Sequence, residues 1–152
     1  LESPIVTLNN RTDEATKRML LGVVKKKQKF DSAKKKHQVC LLAFVTISAV
    51  YIYYLFQNVI EPNSHSAYSV FSHFVSVSAN LYWFVLTGGL FGLMNLLRNK
   101  REKAEKEFHA LRCEIIDKSK DLWKKEEEWK NRHLVFEMMK KQYDINLYHE
   151  SK

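Results

Sequence analysis

From position 37 to position 60 the chain carries no Asp, Glu, Lys or Arg, and residues 39–56 read VCLLAFVTISAVYIYYLF. An α-helix rises ~1.5 Å per residue, so this run spans about 27 Å, close to the thickness of a bilayer's hydrocarbon core. A second apolar run, LYWFVLTGGLFGLMNLL, occupies residues 81–97. It sits at the short end of the spanning range, which places its start earlier, near Val75 or Val77. Tyr82 and Trp83 suit an interfacial aromatic belt at one end, and Arg98, Lys100 and Arg101 close the other. Between the runs, Glu61-Pro62-Asn63-Ser64 stops a helix. Ala67, Val70, Phe71 and Phe74 then share one helical face, as an interfacial helix or an outward extension of the second span would.

The pattern changes after residue 97. Phe108, Ile115, Leu122, Trp129, Phe136 and Tyr143 are spaced by seven, and no Gly or Pro interrupts residues 93–152. The spacing predicts one long helix with a heptad column. The d positions of that heptad are Leu111, Lys118, Lys125, Arg132 and Met139. A cationic middle is not what a two-stranded zipper needs. Glu102–Lys106, Glu114–Lys118, Asp121–Lys125, Glu126–Lys130, Glu128–Arg132 and Glu137–Lys141 are i,i+4 pairs in the favoured order, each contributing a few tenths of a kcal/mol. The column is therefore read as packing on the N-terminal arm, as a self-association seam, or as a partner's docking stripe.

The N-terminal arm predicts a helix from about Thr12 to Lys36, capped by Asn10 or Thr12, with Met19, Val23 and Phe30 on one face and Leu20 and Val24 beside them. Such an arm covers its C-terminal neighbour only to Leu122 or Trp123. The distal residues Trp129, Phe136, Met139 and Tyr143 are then expected to serve a partner or a second copy. Glu126-Glu127-Glu128 reads as a solvated charged face.

Charge turns these elements into a topology. The 152 residues hold 25 Lys plus Arg and 17 Asp plus Glu, with a formal net charge of +8. Residues 1–36 carry ten basic and four acidic groups, and residues 98–152 carry fifteen and twelve. Residues 37–97 carry Glu61 alone. The mean hydropathy of −0.37 hides this segregation. The predicted fold is all-α, a two-span transmembrane hairpin with long cytosolic helical arms. Its segments are a flexible N-terminus (1–11), a basic amphipathic helix (12–36), span one (37–60), an extracytosolic loop or interfacial helix (61–76), span two (77–97), a heptad-patterned cytosolic helix (98–143) and a tail (144–152). Lys25, Lys26, Lys27, Lys34, Lys35 and Lys36 precede the first span, Arg98, Lys100 and Arg101 follow the second, and the connecting loop has no Lys or Arg. The positive-inside rule puts both ends in the cytoplasm, and these basic residues are expected to face lipid headgroups. The first run begins too late for a cleaved signal peptide, so it is read as a retained anchor.

Gly88 and Gly92 form G-x-x-x-G within the second span, beside Gly89. Small residues let helix backbones approach closely. The first span of the same chain, with Ala43, Ser48 and Ala49, is the favoured partner, and another copy is the alternative. Neither span has an ionisable group at depth, which disfavours a transporter. His65 and His73 read as surface histidines. His109, Cys113 and Asp117 lie on one helix face but fall short of a zinc set. Cys40 and Cys113 are not expected to pair. No nucleophile, base and orienter occur together, so no catalytic residue, metal or cofactor is expected. The lysine clusters hold one aromatic, Phe30, which disfavours nucleic acid. The expected partners are membrane lipids and a second copy or another protein. The leading reading is a non-enzymatic scaffold or adaptor, and the alternative is a membrane component of transport, gating or lipid handling.

Residues 103–150, KAEKEFHALRCEIIDKSKDLWKKEEEWKNRHLVFEMMKKQYDINLYHE, resemble the YpbF-like family of small two-span membrane proteins from Bacillus-type bacteria. The resemblance covers nearly the whole chain, in the order basic arm, hairpin, charged helix. It implies a helical fold in a bacterial inner membrane and supplies no activity or catalytic residue.

Overall fold

In a computed structural model, Ile5 and residues 12–148 are described. The expected flexible N-terminus otherwise lies outside them, as do residues 149–152. The described chain is helical: α1 (Glu14–Leu55), a π-helical turn (Phe56–Ile60), α2 (Ala67–Ser76), α3 (Ser78–Asp117), α4 (Ser119–Leu122) and α5 (Glu126–Tyr143). It divides into two units. Leu1–Ala33 with Arg101–Lys152 make a charged unit, and Lys34–Lys100 make an apolar unit.

In the charged unit, α1 starts on Asp13 rather than on the expected Asn10 or Thr12. The Asp13 carboxylate accepts the Thr16 backbone N–H at 2.8 Å, satisfying an otherwise unpaired donor of the first turn. The Thr16 side chain first, and its backbone N–H second, hold the Asp13 carboxyl below its ordinary pKa. The Thr16 hydroxyl donates to the Leu122 carbonyl at 3.0 Å, so the start of α1 also ties the end of α4.

The expected unbroken helix over 98–143 is not what forms. It stops at Asp117, makes one turn as α4, and runs extended at Lys125 (φ −76, ψ 140) before α5. No Gly or Pro forces the break; burial does. Trp123 is 1% exposed, and its ring meets Phe136 edge-on at 5.4 Å. A straight arm would leave both in water; burying the two large side chains contributes roughly 3–6 kcal/mol, against about 0.5–1.5 kcal/mol for each helical bond lost. Of the three glutamates read above as a solvated face, Glu126 and Glu127 are exposed and Glu128 is buried; all three lie in the first turn of α5, where acids complement the helix dipole. Of the six expected i,i+4 pairs, Glu114–Lys118 forms at 2.7 Å, Glu126–Lys130 at 3.1 Å and Glu137–Lys141 at 2.6 Å, while Arg132 lies over the Trp129 ring instead of on Glu128. Across the break, Lys125 pairs with Glu128 instead.

α5 ends in a left-handed Asp144 (φ 55), and the Ile145 N–H reaches back to the Met139 carbonyl at 3.1 Å. The left-handed position is one that Gly usually takes at a helix end, and Asp fills it here. Beyond it the chain runs without helix, burying Ile145 and Leu147 while Asp144 and Tyr148 stay exposed, the alternation of an extended segment. These residues join Leu20, Val23, Phe108, Ile115, Val135, Phe136 and Met139 in one core. The distal stripe expected to await a partner is thus covered by its own chain.

In the apolar unit, residues 34–55 of α1 pack antiparallel to residues 78–100 of α3. Phe44 meets Phe91 at 5.8 Å, and Tyr51 stacks on Trp83 at 6.2 Å. The outer end is closed by hydrogen bonds. Tyr51 donates to the Asn80 carbonyl at 3.0 Å, and the buried Asn80 amide donates to Phe74 at 3.1 Å. An extended Val77 separates α2 from α3.

Three outcomes follow for the full chain in detergent. Ile115→Ala and Met139→Ala, both at fully buried sites, should each lower unfolding stability by about 2–5 kcal/mol in chemical denaturation; a silent Met139→Ala would mean the arm does not fold back. A Cβ at Gly22 would sit 3.5 Å from Leu111 Cδ2, an ordinary contact. Gly22→Ala should therefore stabilise by about 0.5–1 kcal/mol, read as a raised Tm. Asp13 has a depressed folded pKa, so its contribution is present above its ordinary value of 3.8 and is lost as pH falls below it. Asp13→Ala should cost about 1 kcal/mol at pH 7 and progressively less below pH ~4, measured by unfolding at both pH values.

Candidate functional site

The basic cluster preceding residue 37 has two kinds of lysine. Lys26 and Lys29 reach Glu107 at 2.6 and 3.4 Å, holding its carboxyl below the ordinary range, Lys26 more strongly. Lys27 pairs with Asp31 at 3.3 Å and Asp144 at 3.6 Å. Its ammonium also lies 5.8 and 5.7 Å from the stacked rings of Phe30 and Phe108, within cation–π reach. These three lysines hold the charged unit together, although Lys26 and Lys27 were expected at lipid headgroups. Lys34, Lys35 and Lys36 are exposed. Among the described residues no ion pair to them is found. Lys25, Lys100 and Arg98 are likewise at the surface, and Arg101 is half-buried.

The heptad column does not stand as one outward seam. Phe108, Ile115 and Phe136 are buried in the charged unit, and Leu122, Trp129 and Tyr143 are half-buried against the same core. Arg132 covers the Trp129 ring at 3.4 Å. The glycine motif also departs from the expected intramolecular packing. Cβ atoms placed on Gly88, Gly89 or Gly92 would meet nothing within 4 Å. That face of α3 is open, continued by the exposed Val85 and Leu96.

Two helices are long and apolar enough to cross a membrane, and only 11% and 6% of their apolar windows are buried. A helix at the core of a soluble protein would be mostly buried instead. Among the described residues, 21 large hydrophobic side chains of the apolar unit are exposed, Val39 and Leu42 among them, against Leu134 and Tyr148 in the charged unit.

Among the described residues the apolar unit carries several open grooves, of which two are large. One, about 570 Å³, lies between the π-helical turn and α2, with Val59, Val70, Phe71 and Phe74 on its walls. The other, about 480 Å³, lies between α1 and α3. Val39, Cys40 and Ala43 form one wall of it and Leu90, Leu93 and Leu97 the other, with Lys35 and Lys36 at its end. Sequence reasoning did not find this groove; the signal was the short side chains of Cys40 and Ala43 one turn beyond unpaired lysines. Among the described residues no three His, Cys, Asp or Glu side chains lie close enough to hold a metal ion.

No solved structure matches the chain. Residues 19–150 match the family model described as "Protein of unknown function (DUF2663)". The chain is also 37% identical, over 153 aligned positions covering all of both sequences, to the "Uncharacterized protein YpbF" of Bacillus subtilis (strain 168). The chain therefore belongs to the YpbF-like family of proteins of unknown function (DUF2663).

Proposed function

We propose that the chain is a non-enzymatic integral membrane protein, a two-span hairpin with both ends in the bacterial cytoplasm, that acts as an anchored scaffold. The observation that carries this reading is the exposure of two apolar windows bordered by Lys34, Lys35 and Lys36 on one helix and by Arg98 and Lys100 on the other. The loop between the windows has no basic residue, so the positive-inside rule orients it outward. The aromatic pair Tyr51–Trp83 lies near that outer end, as a membrane-interface belt would. In this reading the charged unit is a folded cytosolic body. Its heptad column serves its own core, so self-association falls to the open face of Gly88 and Gly92, where backbones of two copies approach closely. The alternative, a component of transport, gating or lipid handling, is favoured by the lysine-bordered groove alone.

Cysteine accessibility tests the reading. In a background with Cys40 and Cys113 replaced by Ser, Ser64→Cys should react with an impermeant maleimide added to intact spheroplasts. Ser119→Cys should react only after lysis. Labelling of both positions, or recovery of the chain without detergent, would refute the topology. Gly88→Leu with Gly92→Leu should reduce the cross-linked dimer in membranes severalfold; an unchanged dimer would remove self-association from the proposal.

A further inference from the structure

We propose that the groove between α1 and α3 holds one anionic glycerophospholipid, its phosphate on Lys35 and Lys36 and an acyl chain between Ala43 and Leu90. The proposal rests on the membrane placement above and adds a defined ligand to it.

The groove is polar at one end only. Lys35, Val39 and Ala43 follow one another at i, i+4 and i+8 along α1, a single face about 12 Å long. The Phe44–Phe91 and Tyr51–Trp83 contacts set α3 antiparallel. Leu97 therefore stands near the level of Val39, within a turn of the lysines, and Leu90 near that of Ala43. Two ammonium groups followed by an apolar trough match a phosphate followed by an acyl chain. The trough exists because Cys40 and Ala43 are too short to fill the space facing three leucines.

Charge selects the headgroup. Asp31 lies one turn before Lys35 on α1, and its carboxylate is taken by Lys27 at 3.3 Å. Beyond Lys36 the next acid along the chain is Glu61, 25 positions on and about 37 Å along a helix, several Debye lengths at physiological salt. In the basic cluster it is Lys26, Lys27 and Lys29 that find carboxylates. A zwitterionic lipid brings its own ammonium to the same place and gains less. A soluble phosphate leaves the trough unfilled.

Native mass spectrometry of the full chain in mild detergent tests this, with equimolar phosphatidylglycerol and phosphatidylcholine of identical acyl chains. One bound phosphatidylglycerol is expected, preferred about tenfold or more, since two lysines act on the phosphate. Lys35→Gln with Lys36→Gln should abolish the preference. Leu93→Trp fills the trough at unchanged charge and should remove the adduct of either lipid, whereas Leu42→Trp, outside the groove, should change neither. Glycerol phosphate should not bind and lysophosphatidylglycerol should. Equal adducts of the two lipids, or a preference that survives both groove variants, would overturn the site. Chain that leaves cells without detergent would overturn the membrane reading instead.

Discussion

Side chains such as Val39, Leu42, Val85 and Leu96 face outward from helices that offer them no protein to pack against. Moving one half-exposed large apolar side chain from water to hydrocarbon is favourable by roughly 1 kcal/mol. For the 21 in the apolar unit the total is about 20 kcal/mol. That exceeds the ~5–15 kcal/mol by which a folded domain outlasts its unfolded form. In the proposed account, contact with lipid is thus what lets two long helices stand side by side with so little between them. The arms are under the opposite constraint. They are solvated, so they must build an aqueous core, and a straight helix with a narrow stripe cannot.

The fold-back of the C-terminal arm answers that second constraint. Breaking the helix at Lys118 and again at Trp123–Lys125 brings Val135, Phe136 and Met139 onto Leu20, Val23 and Ile115. Polar groups then fix the arrangement. Thr16 holds the Leu122 carbonyl. Lys27, within cation–π reach of two stacked rings, reaches the Asp144 at which α5 stops.

The apolar windows were legible in the sequence because charge is absent for long stretches there, a signal that packing cannot disguise. The family was legible in the strings of residues 103–150. The helix break was not, because its cause is tertiary. Each of Lys118 to Lys125 tolerates a helix, and only the burial of Trp123 and Phe136 decides against one. A local signal did exist in Glu126, Glu127 and Glu128, three acids placed to begin a helix, yet a charge run within a helix reads the same way. Partner choice was equally hidden. G-x-x-x-G announces that a close approach is possible, and the face it takes depends on the rotation of α3 against α1. Spacing likewise does not separate the lysines that find Glu107, Asp31 and Asp144 from those that find no carboxylate among the described residues.

Hydrogen–deuterium exchange on the full chain, compared between lipid nanodiscs and detergent-free buffer, addresses both constraints at once. The account predicts that residues 39–56 and 81–97 are strongly protected in lipid and lose that protection without it. Amides around Ile115 and Met139 should be slow in lipid, with fast exchange at 124–125 between them. Equal protection of the apolar windows with and without lipid would contradict the membrane account. Uninterrupted slow exchange from 103 to 143 would contradict the folded-back arm.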